Sequence, residues 1–387
     1  MKKIGLLTYH HVINYGAVLQ TYAQAKILQS YFKDSVVEII DYRSKVIERK
    51  EFVSHFLSCI KNFTLKPVKK YFNIKNFINK ELPLSKDKFV SDNYKKSLNF
   101  INNKYDAVFV GSDEVWKSMA KGSSRQFPNI YFLSPKLKCK KIGLAASANK
   151  CFLDIISPEN KKIGKKLLNG FDFISVRDTH TLELLKSLGV NNKRIYKIPD
   201  PTLACDFNFI NANKIKRKLK KIGVDFKKPI VCIRMDIGIS NKKRHQFFSK
   251  LRDYFINRGF QIVSVGNNKF ADIDISDCLN PIEWAEVDKL FDFTITDRFH
   301  GTIFSLKNNT PFLVVEDNVK YKRMRSKIAD LLEELSMEHH YLYLDDNDYN
   351  IREIVENIEN NFSNKEVEKK LKKMRDKYYD VLGKVEV

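Results

Sequence analysis

The sequence lacks the glycine-rich motifs that mark the common nucleotide-binding sites. Neither G-x-G-x-x-G nor G-x-x-x-x-G-K-[ST] occurs among its 387 residues. Those motifs allow the backbone to approach a pyrophosphate closely at the start of a helix. Their absence disfavours both a dinucleotide-binding Rossmann site and a P-loop.

Cysteine is scarce and is never paired along the chain. The six cysteines are scattered singly, no C-x-x-C occurs, and no zinc spacing with the histidines can be drawn. This pattern predicts reduced thiols that are mostly buried as small hydrophobic residues. Because no metal-ligand set is visible, we expect neither a metal nor another cofactor.

Long apolar runs are also missing. No stretch reaches the 18 apolar residues that a membrane-spanning helix requires. The run that follows Met1-Lys2-Lys3 stops at His10-His11, which is too short for a signal peptide and lacks its cleavage site. We therefore read it as a first strand and expect a cytoplasmic protein.

Acidic residues are outnumbered, with 46 Asp and Glu against 69 Lys and Arg, for a net charge of +23. Such a field attracts nucleic acid, anionic lipid or a phosphorylated substrate. Much of the excess is lysine spread along helical stretches such as 214–221, which are typical of solvated faces. A general lysine bias explains the charge equally well, so charge alone selects no partner, and we expect no nucleic acid.

Short apolar runs alternate with amphipathic segments along most of the chain. Strands are predicted at 3–9, 36–40, 105–110, 141–146, 171–176 and 196–198, and again at 229–234, 261–265, 291–296 and 311–315. Helices of the second series are predicted at 245–257, 281–290, 302–307 and 320–335. Runs of this kind are typical of parallel strands that are buried on both faces. The hydrophobic content of 43% is ample for two cores.

This alternation predicts an α/β protein with two Rossmann-like, doubly wound domains that face a cleft. Pro199-Asp200-Pro201 marks the boundary, which gives domains at 1–198 and 199–362 and a C-terminal helix at 363–387. Residues from about 44 to 100 are basic and aromatic and have helical spacing, so they predict a helical insert in the first domain. The insert either shields the first sheet or provides a basic surface for RNA or an anionic membrane.

Polar side chains follow the predicted strands of both domains. His10 and Asn14, Asp113 and Glu114, Arg177, and Arg298 with His300 all come at or just after strand ends. Ligands of open α/β sheets bind outside the carboxyl ends of the strands. Two arginines suit a carboxylate or phosphate, and a carboxylate with an imidazole can supply a base and an acid.

Each of these side chains also has a structural interpretation. Asp113 can cap the following helix. Arg177 can be an ion-pair partner of Asp178 or Glu183. The two histidines at 10 and 11 can be turn residues, and the segment from Asp297 to Thr302 can be an ordinary strand-to-helix turn.

The motifs that contain these residues resemble those of the polysaccharide pyruvyl transferases. They occur in the family's order over about residues 3–316: Thr8-Tyr9-His10, Asn14-Tyr15-Gly16-Ala17-Val18-Leu19-Gln20, Gly111-Ser112-Asp113-Glu114-Val115-Trp116, Ser175-Val176-Arg177-Asp178, Asp200-Pro201-Thr202 and Asp297-Arg298-Phe299-His300-Gly301. The chain departs from the family pattern at Glu114, where Gln is usual, at Asp178, where Glu is usual, and near Asn149, where a glycine is usual. These departures affect the acceptor more than the anion anchors.

The resemblance implies a GT-B-like fold and a reaction. The enolpyruvyl group of phosphoenolpyruvate would move onto a sugar of a surface polysaccharide or of its lipid-linked precursor, forming a pyruvate ketal and releasing phosphate. The first domain would be the acceptor side and the second the phosphoenolpyruvate side. The partners would be phosphoenolpyruvate and a glycan or lipid-diphosphate-linked sugar, with peripheral contact to the anionic inner face of the cytoplasmic membrane left open.

The resemblance also implies roles for individual residues. Phosphoenolpyruvate would be bound by Arg177, Arg298, Phe299, His300 and Gly301. His300 and Asp113 would be the catalytic acid and base, and the sequence does not fix which is which. The acceptor or its loop would involve His10, Asn14, Tyr15, Gly16 and Glu114.

Two other functions stay open at this stage. A GT-B glycosyltransferase with a nucleotide-sugar donor would share the fold, because fold does not imply function. Such an enzyme would have an Asp or Glu in the second domain that binds the ribose of the nucleotide. A non-catalytic cationic binder of glycan or membrane would need no histidine at the strand ends.

Overall fold

A computed structural model describes residues 1–62, 66–120, 126–191, 195–207, 212–235, 242–266, 268–317, 325–345 and 348–387. The contacts divide the chain into two compact units. The first contains Met1–Ser58, Ile74–Phe207 and Lys372–Val387, and the second contains Cys59–Asn73 and Asn208–Leu371. Each unit is built on a parallel sheet, as the alternation of apolar runs and amphipathic segments predicts.

The first unit contains a seven-stranded parallel sheet. Its strands are β1 (Lys2–Leu7), β2 (Ser35–Arg43), β3 (Leu84–Val90), β4 (Ala107–Val110), β5 (Lys140–Ala146), β6 (Phe173–Val176) and β7 (Ile195–Lys197). They are ordered β3-β2-β1-β4-β5-β6-β7. All four residues of β4 are buried, which explains its uninterrupted apolar sequence.

The second unit contains a six-stranded parallel sheet. Its strands are β8 (Ile230–Arg234), β9 (Gln261–Ser264), β10 (Ile273–Asp274), β11 (Phe293–Thr296), β12 (Phe312–Glu316) and β13 (Tyr341–Tyr343). Their order is β10-β9-β8-β11-β12-β13. In both sheets the chain starts at the middle, winds to one edge, returns to the middle and winds to the other edge.

The α-helices follow the strands in the expected alternation. They are α1 (Tyr15–Tyr31), α2 (Lys45–Asn62), α3 (Lys66–Glu81), α4 (Tyr94–Ile101), α5 (Pro158–Leu168), α6 (Thr179–Ser187), α7 (Pro201–Ala204), α8 (Ala212–Lys220), α9 (Lys242–Asn257), α10 (Pro281–Glu286), α11 (Phe299–Lys307), α12 (Lys327–Glu334), α13 (Ile351–Asn361) and α14 (Asn364–Leu382). Among the described residues, no helix is both long and apolar enough to cross a membrane.

Local sequence explains where several helices begin. Asn14, Ser157 and Asn280 accept a hydrogen bond from a backbone amide in the first turn of α1, α5 and α10. Asn280 and Glu283 form a reciprocal capping box, and a proline follows the cap of α10. These short polar side chains replace bonds that the first helical amides cannot form within the helix.

Segment 44–100, predicted as a helical insert, forms helices α2, α3 and α4 but also contains strand β3. This strand pairs with β2 at the edge of the first sheet. Its central residues Lys86, Asp87 and Lys88 are exposed. Because an edge strand with an exposed centre has no apolar run, periodicity did not reveal it, and charged side chains protect such an edge from further pairing.

Two predicted helices of the second domain begin elsewhere. The helix predicted from Thr302 begins at Phe299, so the Arg298–Gly301 motif is the first turn of α11 rather than a loop before it. The helix predicted over 320–335 falls partly outside the described residues, and α12 begins at Lys327 after the capping Ser326. Strands β10 and β13 and helix α13 were not predicted, because they are short or strongly charged.

Candidate functional site

Each sheet has one place where the winding direction reverses. In the first sheet the reversal lies between the adjacent strands β1 and β4, and in the second between β8 and β11. Crossovers leave these neighbouring strands in opposite directions, which opens a crevice at their carboxyl ends. The predicted site residues lie in the segments that follow β1, β4 and β11, except Arg177, which follows β6.

In the first unit, the loop after β4 is held tightly by helix α1. The Ser112 amide donates to Gln24 Oε1, and Ser112 Oγ donates to the carbonyl of Ala145 over 3.0 Å. Gln20 Nε2 donates to Thr8 Oγ1 over 3.0 Å, and that hydroxyl donates to the Ser112 carbonyl over 3.2 Å. All these groups are buried. Gln24 was not among the predicted site residues, although it lies one helical turn after Gln20.

The loop conformation explains its glycine and singles out Asp113. Gly111 has φ +119° and lies so close to the Leu144 carbonyl that a Cβ atom would overlap it. Asp113 has φ 74°, which is uncommon for a residue with a side chain. Its carboxylate accepts from the Glu114 amide over 2.7 Å rather than capping a helix. Sparsely populated backbone conformations of this kind concentrate at functional sites.

Arg177, at the end of β6, links this loop to the segment after β7. Its Nη1 donates to Asp200 Oδ2 over 2.7 Å, and its Nη2 lies 3.4 Å from Asp113 Oδ1. The side chain is only 1% exposed and that of Asp200 is fully buried. Burial opposes the charged form, but Asp200 and Asp113 outweigh it and raise the pKa of Arg177. Asp178 caps α6 and adds a smaller attraction to this guanidinium.

Two positions that depart from the family pattern are in contact. Asn149 Nδ2 donates to Glu114 Oε1 over 2.7 Å, and Lys117 Nζ lies 2.9 Å from Glu114 Oε2. The Glu114 side chain is 19% exposed. The Glu114 carboxylate thus has donors on both oxygens. The two positions that differ from the family pattern, 114 and 149, are hydrogen-bonded to each other.

The segment after β1 is deeply buried at the two predicted turn histidines. His10 is fully buried, with Nε2 3.0 Å from Asp41 Oδ1 and Nδ1 3.3 Å from the Thr8 carbonyl. Arg43 holds the same carboxylate over 2.6 and 3.1 Å. Burial opposes ionisation, but the hydrogen bonds from His10 and Arg43 outweigh it and hold the pKa of Asp41 well below its ordinary value.

The remaining predicted residues of this segment hold the start of α1. Asn14 is its exposed capping residue, and Tyr15 and Gly16 are buried in its first turn. His11 is almost fully buried, and burial together with His10 lowers its pKa well below the usual value. Lys75 of α3 donates to the His11 carbonyl over 3.2 Å. We find a positioning arrangement here, in which α3 and β2 fix the β1–α1 loop.

In the second unit, the Arg298–Gly301 turn forms the amino end of α11. Arg298 occupies the capping position without a side-chain cap, and its own amide donates to Thr296 Oγ1 over 3.0 Å. A Cβ atom at position 301 would overlap Thr296 Oγ1, so only glycine permits this approach. The Arg298 side chain is 53% exposed. A helix start with an exposed arginine is suited to an anion.

Around this turn lies a set of charged side chains from three other segments. Arg244 of α9 reaches Asp297 Oδ2 at 3.0 Å and Asp317 Oδ1 at 3.7 Å, and Arg298 Nε lies 3.0 Å from Asp297 Oδ1. Lys327 lies 5.2 Å from the ring centre of Phe299. Sequence reasoning missed Arg244. Its position at the start of the helix after β8 was the available signal, because such helix starts lie at the carboxyl edge of the sheet.

A buried network of polar side chains connects β8 to α11, the helix that begins at this turn. Arg234, at the end of β8, donates to Asp288 Oδ1 over 2.7 Å from Nε and stacks over the ring of Trp284 at 4.4 Å. Ser305 of α11 donates to Asp288 Oδ2 over 3.0 Å. Burial raises the pKa of Asp288 and Arg234 opposes this. This network fixes α11 relative to β8, and no group of three or more His, Cys, Asp or Glu side chains among the described residues could hold a metal.

Comparison with known proteins identifies both a family and a fold. The polysaccharide pyruvyl transferase family model matches residues 14–318. No protein of curated function matches the sequence. Among solved structures, a putative UDP-N-acetylglucosamine 2-epimerase from Listeria monocytogenes is 10% identical with a TM-score of 0.54, over 98% of this chain and 94% of that one. The UDP-GlcNAc 2-epimerase from Methanocaldococcus jannaschii is 12% identical with a TM-score of 0.54, over 96% and 98%. At these identities the likeness shows the GT-B-like fold alone.

Proposed function

The chain belongs to the polysaccharide pyruvyl transferase family, and we propose that it transfers the enolpyruvyl group of phosphoenolpyruvate to a sugar. The product is a pyruvate ketal on a surface polysaccharide or on its lipid-linked precursor, and phosphate is released. The observation that carries this proposal is the Arg298–Gly301 turn, which combines an exposed arginine, an imidazole and the start of α11 at the reversal point of the second sheet.

We assign the phosphoenolpyruvate side to the second unit. Phosphoenolpyruvate carries a carboxylate and a phosphate, so it requires cationic and amide donors. The guanidinium of Arg298 supplies paired N–H groups, and the first amides of α11, at Phe299, His300 and Gly301, point along the helix axis. Asp297 and Arg244 hold the Arg298 side of the turn through the ion pairs described above.

We propose Arg177, in the first unit, as a second anchor for the donor. Unlike Arg298, it is buried, and a buried carboxylate of the protein already pairs with it. Asp200 fixes one edge of its guanidinium at 2.7 Å, whereas the contact to Asp113 is long, at 3.4 Å. A substrate carboxylate can replace this longer contact. Displacing Asp113 from the arginine would also free that carboxylate to accept a proton from the acceptor hydroxyl.

The proposed chemistry needs one acid and one base. A proton adds to the methylene carbon of phosphoenolpyruvate, which gives an oxocarbenium-like centre at the neighbouring carbon. A sugar hydroxyl forms a C–O bond there and loses its proton to the base, and the C–O bond to phosphate breaks. A second hydroxyl then closes the ketal, and its proton leaves with the released phosphate. We propose His300 as the acid and Asp113 as the base. The reverse assignment, with Asp113 as the acid and His300 as the base, would transfer the same protons.

The acceptor side is assigned to the first unit, where the loop of Asp113 and Glu114 lies at the reversal point of the first sheet. His10, Tyr15 and Gly16 are buried, so we propose that they act by holding the β1–α1 loop and that Asn14 caps α1. We propose a cytoplasmic reaction, with a lipid-linked acceptor reached at the inner face of the membrane.

Phosphate release from phosphoenolpyruvate tests the proposal. The purified chain is mixed with a panel of lipid-diphosphate glycans and free oligosaccharides, and phosphate and ketal are measured. Phosphoenolpyruvate at about 100 times its dissociation constant should also stabilise the fold by about 2.7 kcal/mol in the presence of EDTA. Acceptor-dependent phosphate release supports the proposal. Turnover of a nucleotide sugar without turnover of phosphoenolpyruvate would show a glycosyltransferase instead.

A further inference from the structure

A separate cavity of about 390 Å³ lies in the first unit. Tyr9, Tyr42 and Tyr131 contribute to its lining, together with the first turns of α2. Tyr9 follows β1 and Tyr42 is near the end of β2, so the cavity lies at the carboxyl edge of the first sheet. None of its lining residues belongs to the Asp113–Arg177–Asp200 cluster.

The cavity is tied to the Asp113 loop by the protein itself. Trp116, at the end of the Gly111–Trp116 motif, donates from its indole N–H to the Tyr131 carbonyl over 3.1 Å. The rings of Tyr9 and Tyr131 are 4.7 Å apart between centroids. A molecule in the cavity therefore lies against residues that are fixed to the loop of the proposed base.

The chemistry of the lining selects a class of ligand. Val12, Val46 and Ile47 provide most of the exposed apolar surface, to which Tyr9, Tyr42 and Tyr131, each at most 3% exposed, add little area. Asp92, Asn129 and Gln126 provide polar groups. A pyranose matches this combination, because its C–H faces are apolar and its hydroxyl edges form hydrogen bonds. Ligand cavities with mainly apolar linings and a few polar groups have volumes of this order.

The charges of the lining disfavour phosphoenolpyruvate, the proposed donor, in this cavity. Its ionisable carboxylate and amine groups are Lys50, Glu51 and Asp92, which give one formal positive and two formal negative charges. A net negative lining disfavours phosphoenolpyruvate and diphosphates, which the arginine at 298 and the α11 start suit better. The cavity therefore suits a neutral sugar.

We infer that this tyrosine-lined cavity is the subsite for a neutral pyranose of the acceptor glycan. The inference rests on the proposed transfer to a sugar and adds the place where the sugar is held. The proposed base, Asp113, lies in the same Gly111–Trp116 segment whose Trp116 is bonded to the lining residue Tyr131.

A pair of matched variants on α2 tests the inference. Val46 lines the cavity and is 56% exposed, whereas Val53 is 43% exposed and does not line it. Val46→Trp should fill the opening, and Val53→Trp adds the same side chain to the same helix outside it. Both positions are exposed, so we expect both variants to fold, which their melting curves check.

Saturation-transfer NMR with methyl glycosides of glucose, galactose, mannose and N-acetylglucosamine measures binding without phosphoenolpyruvate. We expect at least one glycoside to bind the wild type and Val53→Trp, and its signal to fall at least tenfold in Val46→Trp. Equal binding by both variants, or no binding to the wild type, would overturn the inference. Glycoside binding without phosphate release would refute the proposed transfer but not the subsite, whereas transfer with an unchanged acceptor KM in Val46→Trp would refute the subsite alone.

Discussion

At the residue scale, Arg177 is both a candidate anchor and a structural element. Its guanidinium compensates the fully buried carboxylate of Asp200. Removing one partner of a buried ion pair leaves the other charge uncompensated, which costs about 3–5 kcal/mol. We therefore expect Arg177→Ala to lower the free energy of unfolding by this amount, measured by urea denaturation, and Arg177→Lys to lower it less.

A surface pair in the same unit provides the control for that prediction. Arg375 is 41% exposed and pairs with Asp206, which is 77% exposed. Exposed ion pairs contribute about 0–1 kcal/mol, so Arg375→Ala should change stability little. If both alanine variants lose the same small amount, the buried pair has no special structural role and Arg177 acts only on the substrate.

The imidazole of His300 is the residue on which the chemistry depends most. His300→Gln should lower turnover by about 10² to 10⁴, the usual contribution of a positioned acid or base. Donor affinity, measured by the thermal shift with phosphoenolpyruvate, should fall much less, because Gln still donates a hydrogen bond. Asp113→Asn should lower turnover over the same range. A parallel loss of affinity and turnover in His300→Gln would make this histidine a phosphate ligand rather than the acid.

His340 predicts a pH dependence of stability. Burial lowers its pKa to about 4, whereas an unfolded histidine titrates near 6.5. Between these values the unfolded state binds more protons, so the contribution is complete above about pH 6.5 and is lost as the pH falls toward 4. The difference corresponds to about 3 kcal/mol.

The variant that tests this keeps the hydrogen bond but removes the titration. His340 Nδ1 lies 2.7 Å from the Phe312 carbonyl, and an Asn amide can donate to the same oxygen. Denaturation midpoints at pH 7.5 and 4.5 should therefore differ less for His340→Asn than for the wild type. Identical pH slopes would show that His340 does not control stability in this range.

At the element scale, the start of α11 depends on one close approach. The sequence placed Gly301 in a turn before the helix, but it lies in the first turn against Thr296 Oγ1. Gly301→Ala should shift that turn, lower stability by about 1–3 kcal/mol and weaken phosphoenolpyruvate binding. Adding Thr296→Ala removes the overlapping hydroxyl oxygen.

The double variant should be more stable than the sum of the two single changes, with a coupling of about 0.5–3 kcal/mol. Thermal unfolding of the four proteins in this cycle measures it. Simple additivity would mean that the overlap with Thr296 does not set the position of α11.

At the scale of the whole molecule, the excess of 23 positive charges is partly offset locally. Two lysines of the 44–100 segment belong to the second unit and face its own acidic side chains, with Lys66 3.2 Å from Asp274 and Lys69 3.7 Å from Asp277. These lysines were natural candidates for contact with an anionic membrane. Their acidic partners reduce the positive potential that such a surface would meet.

Breaking the same ion pair from either side tests whether this surface meets a membrane. Lys66→Gln removes a positive charge and Asp274→Asn a negative one. If the surface binds anionic vesicles, Lys66→Gln should weaken sedimentation at low salt by about 1 kcal/mol, and Asp274→Asn should strengthen it. Equal effects of both variants, or no sedimentation of the wild type, would show that the positive charge reflects a lysine-rich composition and does not bind a membrane.

The sequence by itself determined the features that depend on local pattern. Uninterrupted apolar runs such as Ala107–Val110 identified buried parallel strands, and their alternation with helices gave two α/β units. Motif order gave the family, which the match over 14–318 confirms. These signals are readable because burial on both faces and helical periodicity leave a direct trace in residue type.

Only the tertiary structure decided which groups meet, because contacts between distant segments leave no periodic trace. It paired Arg177 with the distant Asp200, joined Glu114 to Asn149, and brought Arg244 to Asp297. It also added β3, whose exposed charged centre resembles a loop in sequence. Sequence identifies the residues that can act, and packing decides which of them are buried partners and which are left open to a ligand.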